Sequence, residues 1–179
     1  LIVPLLLFRY SSMTAAEVTA ISLVAVFANG ISGTGAYARL GRIDYRSGIL
    51  FLIAMLPSGA IGAILVNYIA RGGFQLIFGM LMLPLAIYVF TNPSSSLKSG
   101  AARKGADRRI VDSNGTVYQY TLNLKLGTCV ALVVGLMAGV LGVGGGIFNV
   151  SALVFLIGMP IQVATATSQF MTVGVSLAA

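Results

Sequence analysis

Long apolar stretches with few or no charged residues dominate this sequence and restrict the folds that it can adopt. Only 8% of its residues are charged and 58% are hydrophobic, whereas a water-soluble domain carries roughly 25% charged residues. A surface this apolar needs lipid as its solvent. The sequence therefore predicts an all-α fold, a polytopic transmembrane protein built from helices.

Three of the apolar stretches have the length of one membrane span, at about 15–37, 47–69 and 74–90. A helix of about 20 residues crosses the roughly 30 Å of hydrocarbon in a bilayer. A fourth stretch, 124–157, is too long for one straight helix. It contains Gly142-Val143-Gly144-Gly145-Gly146, where we expect a break because glycine is a poor helix former. Another helix is expected after Pro160.

A polar segment at 92–123, rich in Ser, Gly, Lys and Arg, divides the chain into two transmembrane parts, 1–91 and 124–179. Within it, Asn114-Gly115 between two β-prone runs predicts a hairpin turn. Because the sequence is apolar at both ends, we expect the first part to be a repeat truncated at its N-terminus. We expect the second part to be the start of a repeat truncated at its C-terminus.

The 11 basic residues outnumber the 4 acidic ones and concentrate in two segments, 38–46 and 92–123. The positive-inside rule assigns such loops to the cytoplasm of a multi-pass membrane protein. Two predicted spans separate the segments, so both must lie on the same side. The charge thus predicts topology and not nucleic-acid binding, for which no base-reading motif is present.

Glu17 and Asp44 are the acidic residues closest to the predicted spans. Glu17 is interpreted as a favourable charge at a helix N-terminus. Asp44 is expected to pair with Arg42 or Arg46 at the surface.

The absence of histidine and the single cysteine, Cys129, disfavour metal sites, disulfides and acid–base catalysis. We therefore expect no enzymatic activity, no cofactor and no metal. Cys129 is interpreted as a packing residue. The expected partners are the lipid bilayer and a small anionic substrate, and assembly into an oligomer stays open.

An internal repeat of roughly 146 residues is predicted because 150–168 can be aligned with 3–22. The polar pairs Thr19 with Thr165 and Ser22 with Ser168 support this alignment.

A glycine break inside a membrane helix exposes backbone N–H groups, which favour an anion near the midplane of a transporter repeat. The candidate substrate-binding residues are the glycines and nearby polar residues: Gly144, Gly145, Gly146, Asn149, Ser22, Thr167 and Ser168. Two alternatives stay open. The glycines could serve close helix packing, as we expect for Gly135 and Gly139, and the hydroxyls could bond to carbonyls of their own helices.

Several of these residues carry a family resemblance. Gly142–Gly146, Pro160 and Ala164-Thr-Ala-Thr-Ser168 resemble the sulfite exporter TauE/SafE family of membrane permeases. Leu1-Ile-Val-Pro4, Ala20-Ile-Ser22 and Gly41-Arg-Ile-Asp-Tyr45 are similar to the same pattern and the loop after it. The resemblance implies a permease for small sulfur-containing anions, such as sulfite or organosulfonates, without a bound cofactor. The alternative is a membrane-embedded scaffold or assembly subunit without transport activity.

Overall fold

The computed structural model describes residues 14–70, 72–76, 79, 80, 83, 106–142 and 146–178, which are mostly helical. The helices are α1 (Ala15–Arg39), α2 (Tyr45–Leu65), α3 (Leu124–Leu141), α4 (Gly146–Ser151) and α5 (Ile161–Ala178). A 3₁₀ turn, Val66–Tyr68, extends α2, and a π-helical segment, Ala152–Ile157, extends α4. Strands β1 (Ala106–Val111) and β2 (Val117–Leu122) form the hairpin.

Three of the described helices are long and apolar enough to cross a membrane: Ala16–Arg39, Tyr45–Tyr68 and Leu124–Leu141. The spans predicted at 15–37 and 47–69 are therefore confirmed. The span predicted at 74–90 lies largely outside the described residues, although 72–76, 79, 80 and 83 are helical. The helix expected after Pro160 is also confirmed, since α5 begins at Ile161.

Local caps explain where the helices begin. The Glu17 side chain accepts the backbone N–H of Thr14 at 2.8 Å, and the Thr14 side chain accepts that of Glu17 at 3.3 Å. These two bonds form a capping box at the start of α1. This confirms the interpretation of Glu17. The Asn123 side chain accepts a bond of 3.2 Å from the backbone of Leu126 and caps α3.

Helices α2 and α3 pack parallel through glycines. Gly127 faces Phe51 near one end, and Gly139 faces the Gly59 carbonyl farther along both helices. A Cβ added to Gly139 would also lie 2.9 Å from the Ala63 nitrogen, so any larger residue forces the backbones apart. The packing role predicted for Gly139 is confirmed, and so is that of Gly135, which faces Ser58 and Met55.

Helix α5 packs against both α1 and α2. A Cβ on Gly33 would lie 3.2 Å from the Gln169 side chain, and Gly30 faces Val173, so α1 and α5 are antiparallel. On α2, a Cβ added to Gly48 would lie 3.1 Å from the Thr167 side chain, and one added to Gly59 would lie 3.1 Å from the Val175 side chain. Helices α2 and α5 are therefore parallel.

The hairpin predicted at Asn114-Gly115 is confirmed. Strands β1 and β2 pair antiparallel from Ala106–Leu122 to Val111–Val117, and Gly115 adopts a φ of 79° in the turn. Such a positive φ is accessible to glycine at no steric cost. On β2, Tyr120 and Leu122 are 6% and 0% exposed and belong to the main hydrophobic core.

The outward faces of the helices are apolar, as lipid contact requires. Val24 of α1, Ile53 of α2 and Val133 of α3 are exposed. Cys129 is exposed as well and lines an apolar groove between α3 and the 148–156 segment, so it packs less closely than a core residue would.

Candidate functional site

Gly142 ends α3 where the sequence predicts an interruption. Its φ of 63° is left-handed, and its N–H donates to the Ala138 carbonyl at 3.0 Å, which closes the helix. A Cβ at this position would lie 2.8 Å from the Thr19 Cα of α1. The Thr19 hydroxyl in turn donates to the Val140 carbonyl at 3.4 Å. Gly142 is therefore required both by its conformation and by the close approach of α1.

The chain reverses direction across the glycine run. Helix α4 begins at Gly146, and Ile157 at the end of the following π-helical segment lies beside Gly127 near the start of α3. The segment 146–157 therefore returns along α3. Gly144 and Gly145 lie outside the described residues. A glycine break within a single membrane span thus stays a prediction.

Two buried donors without partners lie where α4 meets α5. Asn149 and Thr172 are 2% and 4% exposed. Among the residues that the structure describes, neither the Asn149 Nδ2 nor the Thr172 Oγ1 has a hydrogen-bond partner. A Cβ on Gly146 would lie 3.6 Å from the Thr172 Oγ1, so this hydroxyl faces the glycine. Gly146, Asn149 and Thr172 form what we call the donor site.

Unpartnered buried donors are unusual, because each one costs roughly 1–3 kcal/mol relative to its hydrated state. A bound group with acceptor oxygens would remove that cost. Asn149 and Thr172 are uncharged, so the donor site offers hydrogen bonds and no ionisable group of its own.

None of the three predicted hydroxyl residues belongs to the donor site. Ser168 donates to the Thr165 carbonyl of its own helix at 3.2 Å, which is the alternative that the sequence left open. The Thr167 Oγ1 accepts the backbone N–H of Asp44 at 3.0 Å. Ser22 is 3% exposed and lies three residues after Thr19, on the α1 face that contacts the end of α3.

Sequence reasoning missed Thr172. The signal was its spacing, because it follows Ser168 by four residues and so lies on the same face of α5. Both residues are buried in the structure.

A second polar group, which we call the Asp44 cluster, comprises Asp44, Ser47, Arg108, Tyr120 and Thr167. The Asp44 carboxylate accepts the Tyr120 hydroxyl at 2.9 Å and the Ser47 N–H at 3.1 Å. Arg108 lies 3.9 Å from the same carboxylate. The expectation that Asp44 pairs with Arg42 or Arg46 at the surface is wrong, because the hairpin covers Asp44 and leaves it only 5% exposed.

Arg42 instead pairs with Asp112 next to the hairpin turn. The contact is 2.6 Å long, and the Asp112 side chain is fully buried. Burial raises the pKa of Asp112, but hydrogen bonds from Arg42 and Ser113 outweigh it, so the pKa lies below its ordinary value. The hydrogen bond to Asp112 raises the pKa of Arg42. Both groups are therefore charged at neutral pH.

These contacts join loop 40–44 to the hairpin, so the described part of the second basic segment lies on the same side as the first. In the described part of the chain, no group of three or more His, Cys, Asp or Glu side chains could hold a metal ion.

Comparison with known proteins identifies the same family as the sequence analysis. The model of the sulfite exporter TauE/SafE family matches residues 1–179. The probable membrane transporter protein YunE of Bacillus subtilis (strain 168) is 31% identical, over 94% of this chain and 64% of that protein. A probable membrane transporter protein of Xylella fastidiosa (strain 9a5c) is 27% identical, over 88% and 54%. The chain thus spans about half to two thirds of these relatives. No solved structure was found to match.

Proposed function

The chain belongs to the sulfite exporter TauE/SafE family, and from this premise we propose that it forms part of a plasma-membrane permease. Its proposed substrates are small sulfur-containing anions such as sulfite or organosulfonates. The description of two relatives as probable membrane transporters supports transport. The family name supports the substrate class.

The observation that carries the proposal is the pair of unpartnered donors beside Gly146. The Asn149 amide and the Thr172 hydroxyl are buried and have no hydrogen-bond partner among the described residues, and a sulfur oxyanion carries several acceptor oxygens that could bond to both. Hydrogen bonds to a charged group are worth roughly 1.5–3 kcal/mol each. Gly144 and Gly145 are included as predicted members, since glycine lets a ligand approach the backbone closely.

The level of the donor site along α2 supports binding near the membrane midplane. Val175 lies 3.1 Å from the Cβ position of Gly59, which is near the middle of the 24-residue span Tyr45–Tyr68. Thr172 lies one helical turn before Val175 on the parallel helix α5. Transporters built from internal repeats hold their substrates at this depth.

The antiparallel arrangement of α1 and α5 supports the proposed internal repeat. The aligned pairs Thr19 with Thr165 and Ser22 with Ser168 make these helices equivalent in sequence. Equivalent helices run in opposite directions in an inverted-topology repeat, and Gly30 and Gly33 of α1 face Val173 and Gln169 in that order.

The test is anion flux into proteoliposomes that contain the full-length protein, with sulfite, a short alkyl sulfonate and chloride as substrates. Thr172→Val removes the hydroxyl and keeps the shape of the side chain. We expect the apparent KM for the transported sulfur anion to rise about tenfold, because one hydrogen bond to a charged ligand is lost. Asn149→Leu is expected to act in the same direction.

Thr165→Val is the matched control. Its hydroxyl lies on the same helix but donates to the Ile161 carbonyl at 2.8 Å, so its removal should leave the KM unchanged. If Thr172→Val and Asn149→Leu transport like the parent, the donor site is not the substrate site.

A folded parent protein that moves none of these anions would favour the alternative function, a membrane-embedded scaffold. The close glycine packing of α2 on α3 is the structural feature that such a subunit would share.

A further inference from the structure

Asp44 connects three parts of the molecule through one buried residue. Its backbone N–H donates to Thr167 of α5, and its carboxylate caps α2 at Ser47 and accepts the Tyr120 hydroxyl of the hairpin. Its two hydrogen-bond partners in the helices are fully enclosed, since Ser47 and Thr167 are both 0% exposed.

The Asp44 cluster and the donor site lie along the same helix. Thr167 and Thr172 are five residues apart on α5, a separation of about 7.5 Å at 1.5 Å per residue. The buried face between them carries Ser168. The Asp44 cluster therefore lies between the hairpin and the level of the donor site along α5.

Few polar contacts hold the hairpin over this position. Among the described residues, besides the Tyr120–Asp44 bond, they are the Arg108–Asp44 ion pair at 3.9 Å, the Arg42–Asp112 ion pair and the Ser113 N–H bond to the Leu40 carbonyl at 3.0 Å. Tyr120 and Leu122, near the root of the hairpin, are both buried. Breaking the Tyr120–Asp44 bond therefore requires the whole hairpin to move and not its tip alone.

The Asp44 cluster is also incompletely bonded. The Ser47 Oγ and the Arg108 Nε are buried atoms without a hydrogen-bond partner in the described part of the chain. A partly satisfied polar network is costly, and such a network is suited to an arrangement whose contacts change between two states.

We propose that the β1–β2 hairpin is a gate, closed in this structure, that shuts off the donor site by bonding Tyr120 to Asp44. The gate rests on the transport function proposed above, because a substrate path must open and close. Opening breaks the Tyr120–Asp44 and Arg42–Asp112 contacts and exposes Ser47 and Thr167.

The first test measures access to Ser47. The reporter is Ser47→Cys in a Cys129→Ala background of the full-length protein, since within the described part of the chain the Ser47 Oγ makes no hydrogen bond that a thiol would disrupt. A water-soluble maleimide is added to open membrane fragments, where both faces are accessible. We expect slow labelling in this parent and labelling about tenfold faster after Tyr120→Phe, because a hydrogen bond to a buried carboxylate is lost.

Tyr118→Phe is the matched control. Tyr118 lies on the same strand and packs against the core, but no hydrogen bond of its hydroxyl is seen among the described residues, so the labelling rate should not change. Asp112→Asn, which weakens the ion pair near the hairpin turn, provides a second opening variant should Tyr120→Phe not fold. If neither Tyr120→Phe nor Asp112→Asn increases the labelling rate of Ser47→Cys, the gate is overturned.

The second test locks the hairpin. Leu40→Cys with Ser113→Cys, in the Cys129→Ala background, places a disulfide across the backbone contact at its tip. Oxidation should stop anion flux, and a reductant should restore it. Flux that continues in the oxidised pair would overturn the gate and leave the transport function intact. A parent without any flux would overturn the transport function, and the labelling rates would then decide whether the hairpin covers Ser47.

Discussion

The Tyr120 phenol is held in its neutral form by two effects that act in the same direction. Burial is the larger one, and the Asp44 carboxylate that accepts its hydrogen bond adds to it, so the pKa of Tyr120 lies well above its ordinary value. The positive charge of Arg108 opposes them but is weaker. The protonated phenol is therefore the form that donates to Asp44.

This ionisation can be measured directly. The titration curve of Tyr120 is the difference between the tyrosinate absorbance of the parent protein and that of Tyr120→Phe. We expect its midpoint well above the ordinary value of 10.0. Folding holds this proton more tightly, so the associated stability is present below that value and is lost as the pH rises through the folded-state pKa.

Denaturant supplies the control for this titration. Once the chain is unfolded, Tyr120 is hydrated and distant from Asp44, and the difference curve should return to the ordinary tyrosine value. A midpoint near 10.0 in the folded protein would mean that Tyr120 is neither buried nor bonded to Asp44 in the membrane.

Glu17 and Asp44 illustrate which residue roles a sequence can predict. Glu17 acts on Thr14, three residues away, so its capping role follows from local spacing. The partners of Asp44 include Tyr120 and Thr167, which are 76 and 123 residues away. The basic residues adjacent to Asp44 suggested a surface pair, because nothing local indicates that the hairpin folds over it.

At the scale of elements, α2 and α3 approach each other closely at Gly59 and Gly139. We expect Gly139→Ala to lower the free energy of unfolding by about 1–3 kcal/mol, because the added methyl group meets the Gly59 carbonyl and the Ala63 nitrogen. Thermal unfolding of the purified protein in detergent measures this change.

Gly35→Ala is the control for helix propensity. A Cβ at Gly35 of α1 has no heavy atom within 4 Å, so alanine should leave stability unchanged or raise it by about 0.5–1 kcal/mol. Equal unfolding temperatures for Gly139→Ala and Gly35→Ala would contradict the close packing of α2 on α3.

The turns show how far element prediction reaches. Asn114-Gly115 predicted the turn, and Gly115 adopts a positive φ of 79° there, although Asn114 does not, so the dipeptide did not predict the full turn geometry. The run Gly142–Gly146 predicted only where a helix ends. It carried no information about direction, because the return of 146–157 along α3 depends on packing that brings Ile157 beside Gly127. The contact of the Thr172 hydroxyl with Gly146 depends on packing as well, although its spacing from Ser168 indicated that both residues share a face of α5.

For the whole molecule, the charge pattern and the tertiary contacts constrain topology together. Helices α1 and α2 are joined by loop 40–44, and the Arg42–Asp112 pair holds that loop against the hairpin. Loop 40–44 and the hairpin therefore lie on one side. The start of α1 at Thr14 lies at the opposite end of a 25-residue helix.

Which side is cytoplasmic follows from the positive-inside rule, and we predict that the hairpin faces the cytoplasm. Ser113→Cys at the exposed turn and Thr14→Cys at the start of α1 report the two sides in a Cys129→Ala background. An impermeant maleimide should label Ser113→Cys in inside-out vesicles and Thr14→Cys in right-side-out vesicles. The reverse pattern would place the hairpin outside. Labelling of both positions from one side would mean that α1 does not cross the membrane.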